Sequence, residues 1–537
     1  MMVILLLAWL AATPVPSAAP SSAPSAAPDT KCEAMAALAL KDTTIVSARA
    51  TPAGSFQPAS GPAVEGVPAT CRVAGTIKPS SDSDIQFEVW MPVTGWNGKF
   101  QGVGNGGFAG SIDDRSLARF VADGYAAGST DTGHRADGTD ASWARGHPEK
   151  VIDFGHRAIH EMTDKSKAIA RAFYGRPPER SYFHSCSNGG RQALMEAQRY
   201  PEDYDGIIAG APANFWTHLL SKAAFDMKAT VADAAAYIPA SKLPALEAAV
   251  LAACDARDGV SDRIVDSPAE CAFDPGTLAC AAAESDSCLT PAQIGALAKL
   301  YAGPRTADRT LVHRGFTPGA ETGPGGWALW ITGSEPGKAL LAAFATGFFR
   351  DMLFERPEWD VRTFDLDRDL ERADHKLAPV LNATDPDLDR FRRRGGKLIL
   401  YHGWADAAIA PLNAIDYYET VRARMGADQT DGFARLFMMP GVQHCAGGPG
   451  PSSFYGPSAL AHDAAHDVEK AIERWVEQGV APDRIVAARY KDDGKPASGV
   501  ARTRPLCPHP QVARWTGSGS SDDAANFVCR LPDRRTP

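Results

Sequence analysis

Two dipeptides constrain this chain more than anything else in it: Cys186-Ser187, in SYFHSCSNGGRQALMEAQRYP, and His444-Cys445, in ARLFMMPGVQHCAGG. A disulfide between Cys186 and Cys445 would hold their Cα atoms about 5.5 Å apart. It would hold a hydroxyl beside an imidazole, although the two stand far apart in the chain. The opposing reading, in which each cysteine pairs elsewhere, leaves the two dipeptides unrelated.

The surrounding pattern favours a parallel sheet. RSYFHSCS reads as a short strand entering a sharp turn, GGRQALMEAQRYP as a helix that stops before Pro201, and YDGIIAGAPA as a buried strand. Strand, helix and strand in close order are the unit of an α/β sheet. Upstream, DIQFEVWMP alternates, GKFQGVGNGGFAG runs from a strand into a glycine-rich loop, and GYAAGSTDTGH is a further strand with a polar end. After residue 390 the format returns in KLILYHGWADAAI and ARLFMMPGVQHC, followed by DAAHDVEKAIERWVEQG, an amphipathic helix ending at Gly479. Between these blocks, residues 213–390 are looser and richer in alanine helices, Pro, Gly and Trp.

A serine hydroxyl attacks only with a base in hydrogen-bond reach and a carboxylate to orient that base. An α/β-hydrolase sets the serine on a strand-to-helix turn flanked by small residues, with acid and base following later strands. Ser187 has this setting: Gly189 fills the second glycine position of G-x-S-x-G, while Ser185 stands in the first. Asp406 follows one later strand and His444 the next. Taken singly, Asp406 reads as a helix cap and His444 as a loop histidine. Taken together, in this order and at three strand ends, they point to a Ser187–His444–Asp406 triad. An α/β-hydrolase fold with a large inserted segment is therefore expected. The N–H of Asn188, the residue after the nucleophile, would be one oxyanion donor, and GNGGFAG would supply the other.

Composition narrows the setting. The net charge of −9 gives no basic footprint, so nucleic acid is not an expected partner. Residues 1–29 read as a signal peptide, with an apolar run from Val3 to Ala12, and a disordered Pro/Ala/Ser leader. That run is too short to span a bilayer, and no membrane association is expected. All ten cysteines follow the leader, none in C-x-x-C spacing, which fits disulfides in a secreted or periplasmic protein.

On its Cys-Ser and His-Cys pairs, with an aspartate before the latter, the chain resembles the tannase/feruloyl esterase family from Cys32 to Cys529. The resemblance implies a carboxylic ester hydrolase acting on small esters of aromatic acids such as gallate, ferulate or related benzoates. It implies disulfides Cys32–Cys71, Cys186–Cys445, Cys254–Cys271, Cys280–Cys288 and Cys507–Cys529. It points to Gly107 as the second oxyanion donor, with Gly106 as the alternative. The strand and helix pattern divides the chain into a core of residues 30–212 and 391–537 split by an insertion of residues 213–390, and the resemblance implies that this insertion is a lid domain.

CDARDGVSDRIVD spaces Asp255, Asp258 and Asp262 along a short loop. By itself the cluster reads better as a solvated acidic turn, and it lacks the EF-hand spacing. The resemblance implies a structural calcium (Ca2+) held by those three side chains and the carbonyls of Val260 and Ile264. Trp327, Trp330, Phe348, Phe349 and Arg350 are the candidates for an aromatic-acid pocket, Arg350 as partner for a free carboxylate. Two rivals stand beside the serine esterase: a calcium-stabilised, disulfide-rich carbohydrate-binding protein without catalysis, and a cysteine hydrolase using Cys186.

Overall fold

The computed structural model describes residues 28–58 and 61–532. The expected signal segment lies outside the described residues, and the first helix, Pro28–Glu33, begins inside the expected leader. Among the described residues no helix is long and apolar enough to cross a membrane.

Nine strands form the central sheet: β1 (Thr43–Thr51), β2 (Thr70–Ile77), β3 (Ile85–Pro92), β4 (Lys99–Val103), β5 (Ala126–Thr130), β6 (Arg180–Cys186), β7 (Gly206–Gly210), β8 (Lys397–Gly403) and β9 (Ala434–Met439). Their order is β1-β2-β3-β5-β4-β6-β7-β8-β9. The first three pairings are antiparallel, and from β5 onward every neighbour is parallel. All five residues of β7 are buried, as expected for a strand covered on both faces. The α/β-hydrolase expectation is met by this sheet and the helices on both its faces.

Two helices show how sequence pattern becomes packing. Helix α1 (Asn188–Arg199) lays Ala193, Leu194 and Ala197 on one face of the sheet, against Phe183 and Ile207. Helix α2 (Val468–Gln478) lays Val468, Ala471, Ile472 and Trp475 on the other, against Tyr182 and Ile399. Asp467 caps α2 by accepting the Glu469 N–H, and Gly479 ends it at φ +73°.

The register aligns the strand ends. Cys186 of β6 sits opposite Gly210 of β7, Gly210 opposite Tyr401 of β8, and Tyr401 opposite Phe437 of β9. The loops that leave β6, β8 and β9 therefore emerge along one edge. Between Gly210 and Lys397 the chain adds no strand to this sheet. That segment builds a second hydrophobic cluster around Trp216, Leu220, Trp327, Phe348 and Phe349, which reaches back to Phe108 and Ile409 of the core loops.

Candidate active site

Ser187 sits between β6 and α1 with φ +67° and ψ −125°, backbone angles that a side-chain-bearing residue rarely adopts. Its neighbours make the turn feasible. A Cβ on Gly189 would lie 1.9 Å from Ser185 Oγ, and one on Gly190 would lie 2.2 Å from the Gly210 carbonyl. Gly189 thus makes room for the serine that replaces the first glycine of the usual motif. The Ser187 N–H donates to Gly210 O at 2.9 Å, which ties the turn to β7.

His444 Nε2 lies 2.9 Å from Ser187 Oγ, and His444 Nδ1 lies 2.8 Å from Asp406 Oδ2. A nitrogen facing a carboxylate carries the proton, so Nδ1–H donates to Asp406 and Nε2 is left to accept from the serine. Asp406 is buried, and its Oδ1 accepts the N–H groups of Ala408 (2.8 Å) and Ile409 (2.9 Å). Burial alone would raise its pKa. The electrostatic pull of the His444 ring and the hydrogen bonds from His402 and His444 reverse that and hold the carboxyl well below its ordinary value.

His402 is the residue that the sequence reasoning overlooked. Its Nε2 lies 3.0 Å from the same Asp406 Oδ2 and 3.1 Å from the Ile409 carbonyl. Both partners are acceptors, so this nitrogen also carries a proton. Asp406 is therefore fixed by two imidazoles and two amides. The signal for it was the four-residue step from His402 to Asp406 in YHGWAD, which brings the ring back onto the loop leaving its own strand.

Five disulfides join Cys32–Cys71, Cys186–Cys445, Cys254–Cys271, Cys280–Cys288 and Cys507–Cys529, and no described cysteine is free. Cys186 and Cys445 have Cα atoms 6.0 Å apart. Cys445 is also in the left-handed region, at φ +63°. The bond thus joins two turns of unusual backbone, each carrying one member of the Ser187–His444 pair. With its sulfur bonded, Cys186 offers no thiol for attack.

Gly107 and Asn188 border the same cleft as Ser187, and Gly106 does not. Asn188 is the first residue of α1, where a backbone N–H has no partner within the helix. Gly107 has φ +56°, and a Cβ there would meet Gly138 O at 2.3 Å. The glycine-rich loop is held on α1: the Asn105 N–H donates to Gln192 Oε1 at 2.9 Å, and Gln192 Nε2 donates to Asn105 Oδ1 at 3.1 Å.

The cleft walls are apolar, with Trp216, Leu219, Leu220, Trp330, Phe344 and Ile409 among them. Trp330 meets the His444 ring edge-on at 4.9 Å. Of the five pocket candidates read from sequence, Trp330 alone lines the cleft. Trp327, Phe348 and Phe349 are buried in the inserted segment's own core. Arg350 donates to Asp351 at 2.8 Å and does not line the cleft. Phe344 went unnoticed because it lies in an alanine-rich helix, Leu340–Gly347, without turn or motif signals.

The acidic loop supplies no residue to the triad or to the cleft lining. Asp255 accepts the Arg263 N–H at 3.1 Å, Asp258 Oδ1 accepts Val260 N–H at 2.9 Å, and Asp262 Oδ1 accepts Ile264 N–H at 3.1 Å. Arg504 pairs with Asp262 at 2.5 Å and approaches Asp266 at 3.7 Å, and Arg502 reaches Asp262 at 3.2 Å. Asp258 Oδ2 and Asp266 Oδ1 are buried without a hydrogen-bond partner. Burial, with Asp262's charge added, raises the pKa of Asp258. Burial and the neighbouring Asp258 push the Asp266 carboxyl well up, which favours its protonated form; the other three carboxylates still outnumber the two guanidiniums, and hard oxygen donors suit a cation such as Ca2+. The residues fit the ion, with Asp266 as an acidic neighbour that the expected ligand set omitted. A second acidic group, His160, Glu196 and Asp203, also lies close together. Burial and the neighbouring Asp203 push the Glu196 carboxyl well up, so a proton shared with Asp203, and Lys167 nearby, account for its charge.

Residues 71–530 match the family described as tannase and feruloyl esterase. The chain belongs to that family. An uncharacterized esterase of Xanthomonas campestris pv. campestris is 48% identical over 526 residues, covering 93% of this chain and 91% of the relative. Mono(2-hydroxyethyl) terephthalate hydrolase of Piscinibacter sakaiensis is 35% identical over 538 residues, covering 87% and 85%. The crystal structure of feruloyl esterase B from Aspergillus oryzae superposes with a TM-score of 0.86 at 29% identity, covering 94% of this chain and all 100% of that one. Like its relatives in the tannase and feruloyl esterase family, the chain is a carboxylic ester hydrolase, and the reading as a binding protein without catalysis falls.

Replacing His402 by Phe is expected to lower kcat for ester hydrolysis roughly 10- to 100-fold, as Asp406 loses one anchor and His444 drifts. Gln at this position keeps a donor and should restore much of the rate. Steady-state kinetics on the two folded variants decide this, and an unchanged kcat in His402→Phe would contradict it.

Proposed function

We propose that this family member is an exported serine esterase that hydrolyses esters of aromatic acids through an acyl-enzyme. The observation that carries the reading is the unbroken hydrogen-bond chain from Ser187 Oγ through His444 to Asp406. Ser187 Oγ attacks the ester carbonyl as His444 Nε2 takes its proton, and Asp406 stabilises the resulting imidazolium. The N–H groups of Asn188 and Gly107 receive the oxyanion. The alcohol then leaves with the proton from His444. Water, deprotonated by the same nitrogen, attacks the acyl-enzyme and releases the acid.

Aromatic acids are favoured by Trp330 and Phe344, two ring walls at the mouth of the nucleophile. Both come from the segment between β7 and β8, which supports reading residues 213–390 as a lid. Export is supported by five disulfides, a bonding state that oxidising compartments maintain. We assign a structural calcium to Asp255, Asp258 and Asp262 with the carbonyls of Val260 and Ile264. When bound it would neutralise that loop, and no chemical step involves it. The loop backs the histidine: a Cβ on Gly441, three residues before His444, would touch Ile264 Cγ2 at 3.2 Å.

Ser187→Ala should lower kcat/KM on an activated aryl ester by at least ~10³-fold and abolish labelling by a fluorophosphonate. A variant that keeps its activity would refute the assigned nucleophile. Chelation should lower Tm while leaving the initial rate at 25 °C largely intact, and added Ca2+ should restore Tm in proportion to occupancy. Differential scanning fluorimetry beside an initial-rate assay separates the two effects. Immediate, reversible loss of activity without loss of Tm would instead indicate a metal in the reaction.

A further inference from the structure

The acyl cleft offers a substrate very little polarity. Its floor is Ser187 with the backbone of Gly107 and Asn188, groups committed to the reacting carbonyl. Its walls are Trp216, Leu219, Leu220, Trp330, Leu341 and Phe344, closed by Ala213, Ala408 and Ile409. No charged side chain is among them. The arginine nearest to the lining, Arg191, lies 5.1 Å from the Trp216 ring but is buried and donates to Asn188 Oδ1 and to the Gly155 and Phe154 carbonyls, while Arg350 is bound to Asp351, which also takes Arg145 at 3.2 Å. Two lining residues have idle donors, Asn188 Nδ2 and Trp216 Nε1, and both atoms are buried. A substituent on the acyl group therefore meets carbon.

We infer that this cleft selects an uncharged, sparsely hydroxylated acyl group of the benzoyl or cinnamoyl class, and that it disfavours both carboxylated and polyhydroxylated aromatic acids. The inference rests on the reading of Ser187 as nucleophile. Its chemistry is desolvation. A carboxylate entering this cleft gives up its water without meeting a cation, and each phenolic hydroxyl gives up hydrogen bonds that no wall atom replaces. An unreplaced hydroxyl lowers efficiency by about 10-fold, and an unpaired carboxylate by more. A terephthalate monoester, the substrate in the name of one relative, carries a carboxylate at the far end of its ring. A galloyl ester carries three hydroxyls. The same walls bury the bare face and edge of an unsubstituted ring with no such loss, and Trp330 and Phe344 stack at its mouth with ring centroids 6.4 Å apart and planes 16° from parallel.

The test is kcat/KM for a set of esters with one alcohol: methyl benzoate, methyl cinnamate, methyl 4-hydroxybenzoate, methyl gallate and monomethyl terephthalate. Each value is divided by the rate constant for hydroxide hydrolysis of that ester, which removes differences in intrinsic reactivity. The expected order puts benzoate and cinnamate first, 4-hydroxybenzoate about 10-fold lower, and gallate and monomethyl terephthalate at least ~100-fold lower. Phe344→Arg places a cation at a half-buried wall position and should raise the terephthalate-to-benzoate ratio at least ~10-fold. Hydrolysis that depends on Ser187 but is led by gallate or monomethyl terephthalate overturns the inference alone. An unmoved ratio in folded Phe344→Arg contradicts the placing of the acyl group in this cleft. Hydrolysis of every ester that survives Ser187→Ala overturns the nucleophile reading and the inference with it.

Discussion

The covalent tie between Cys186 and Cys445 is the constraint on which the rest of this molecule depends. A serine on the turn after β6 and a histidine on the loop after β9 belong to strands that are not neighbours in the sheet, since β7 and β8 lie between them. Parallel register brings both loops to the same edge, but register alone positions a loop only loosely. The disulfide fixes the residue next to each functional side chain, at two turns where Ser187 and Cys445 have positive φ. What remains free is the side-chain torsion of each, and the hydrogen bonds to Asp406 remove that freedom for His444. The site is preorganised by covalent bonding on one side and by a buried carboxylate on the other.

The carboxylate has its own anchoring. Ala408 and Ile409 amides hold one oxygen, and His402 shares the other with His444. The Cys186–Ser187 turn is likewise backed by two glycines, one accommodating Ser185 and one accommodating the Gly210 carbonyl. The inserted segment contributes something different. It supplies apolar walls of the cleft, Trp330 and Phe344 among them, and none of the residues of the Ser187–His444–Asp406 hydrogen-bond chain.

The parts of this arrangement that were legible in sequence are those written as local pattern. β6, β8 and β9 are short, largely buried strands followed in the chain by Ser187, Asp406 and His444, and chain order is enough to recognise the set. The strand–turn–helix around Ser187 follows from a short apolar run, small residues at the turn and two adjacent glycines. The cysteine pairings and the ligand set at Asp255, Asp258 and Asp262 came from family resemblance, because ten cysteines allow many pairings and an acidic turn is ambiguous alone. What stayed hidden depends on side-chain direction across long separations. Trp330 faces the cleft and Trp327, three residues earlier, packs inward against Phe316, although both are tryptophans in one stretch. Arg350 was a reasonable partner for a substrate carboxylate until the adjacent Asp351 claimed it. Arg502 and Arg504, some 240 residues beyond Asp262 (separations of 240 and 242), could not be assigned to the acidic loop from spacing.

The most direct measurement of the disulfide's role is the turnover of a Cys186→Ala, Cys445→Ala variant, with its fold verified by circular dichroism and its four other disulfides by mass spectrometry. If the bond holds nucleophile and base in working geometry, kcat falls at least ~100-fold while the folded state persists, since displacement of a reacting group by about 1 Å costs that much. Full turnover in the folded variant would contradict the account and leave the bond a stabilising link only.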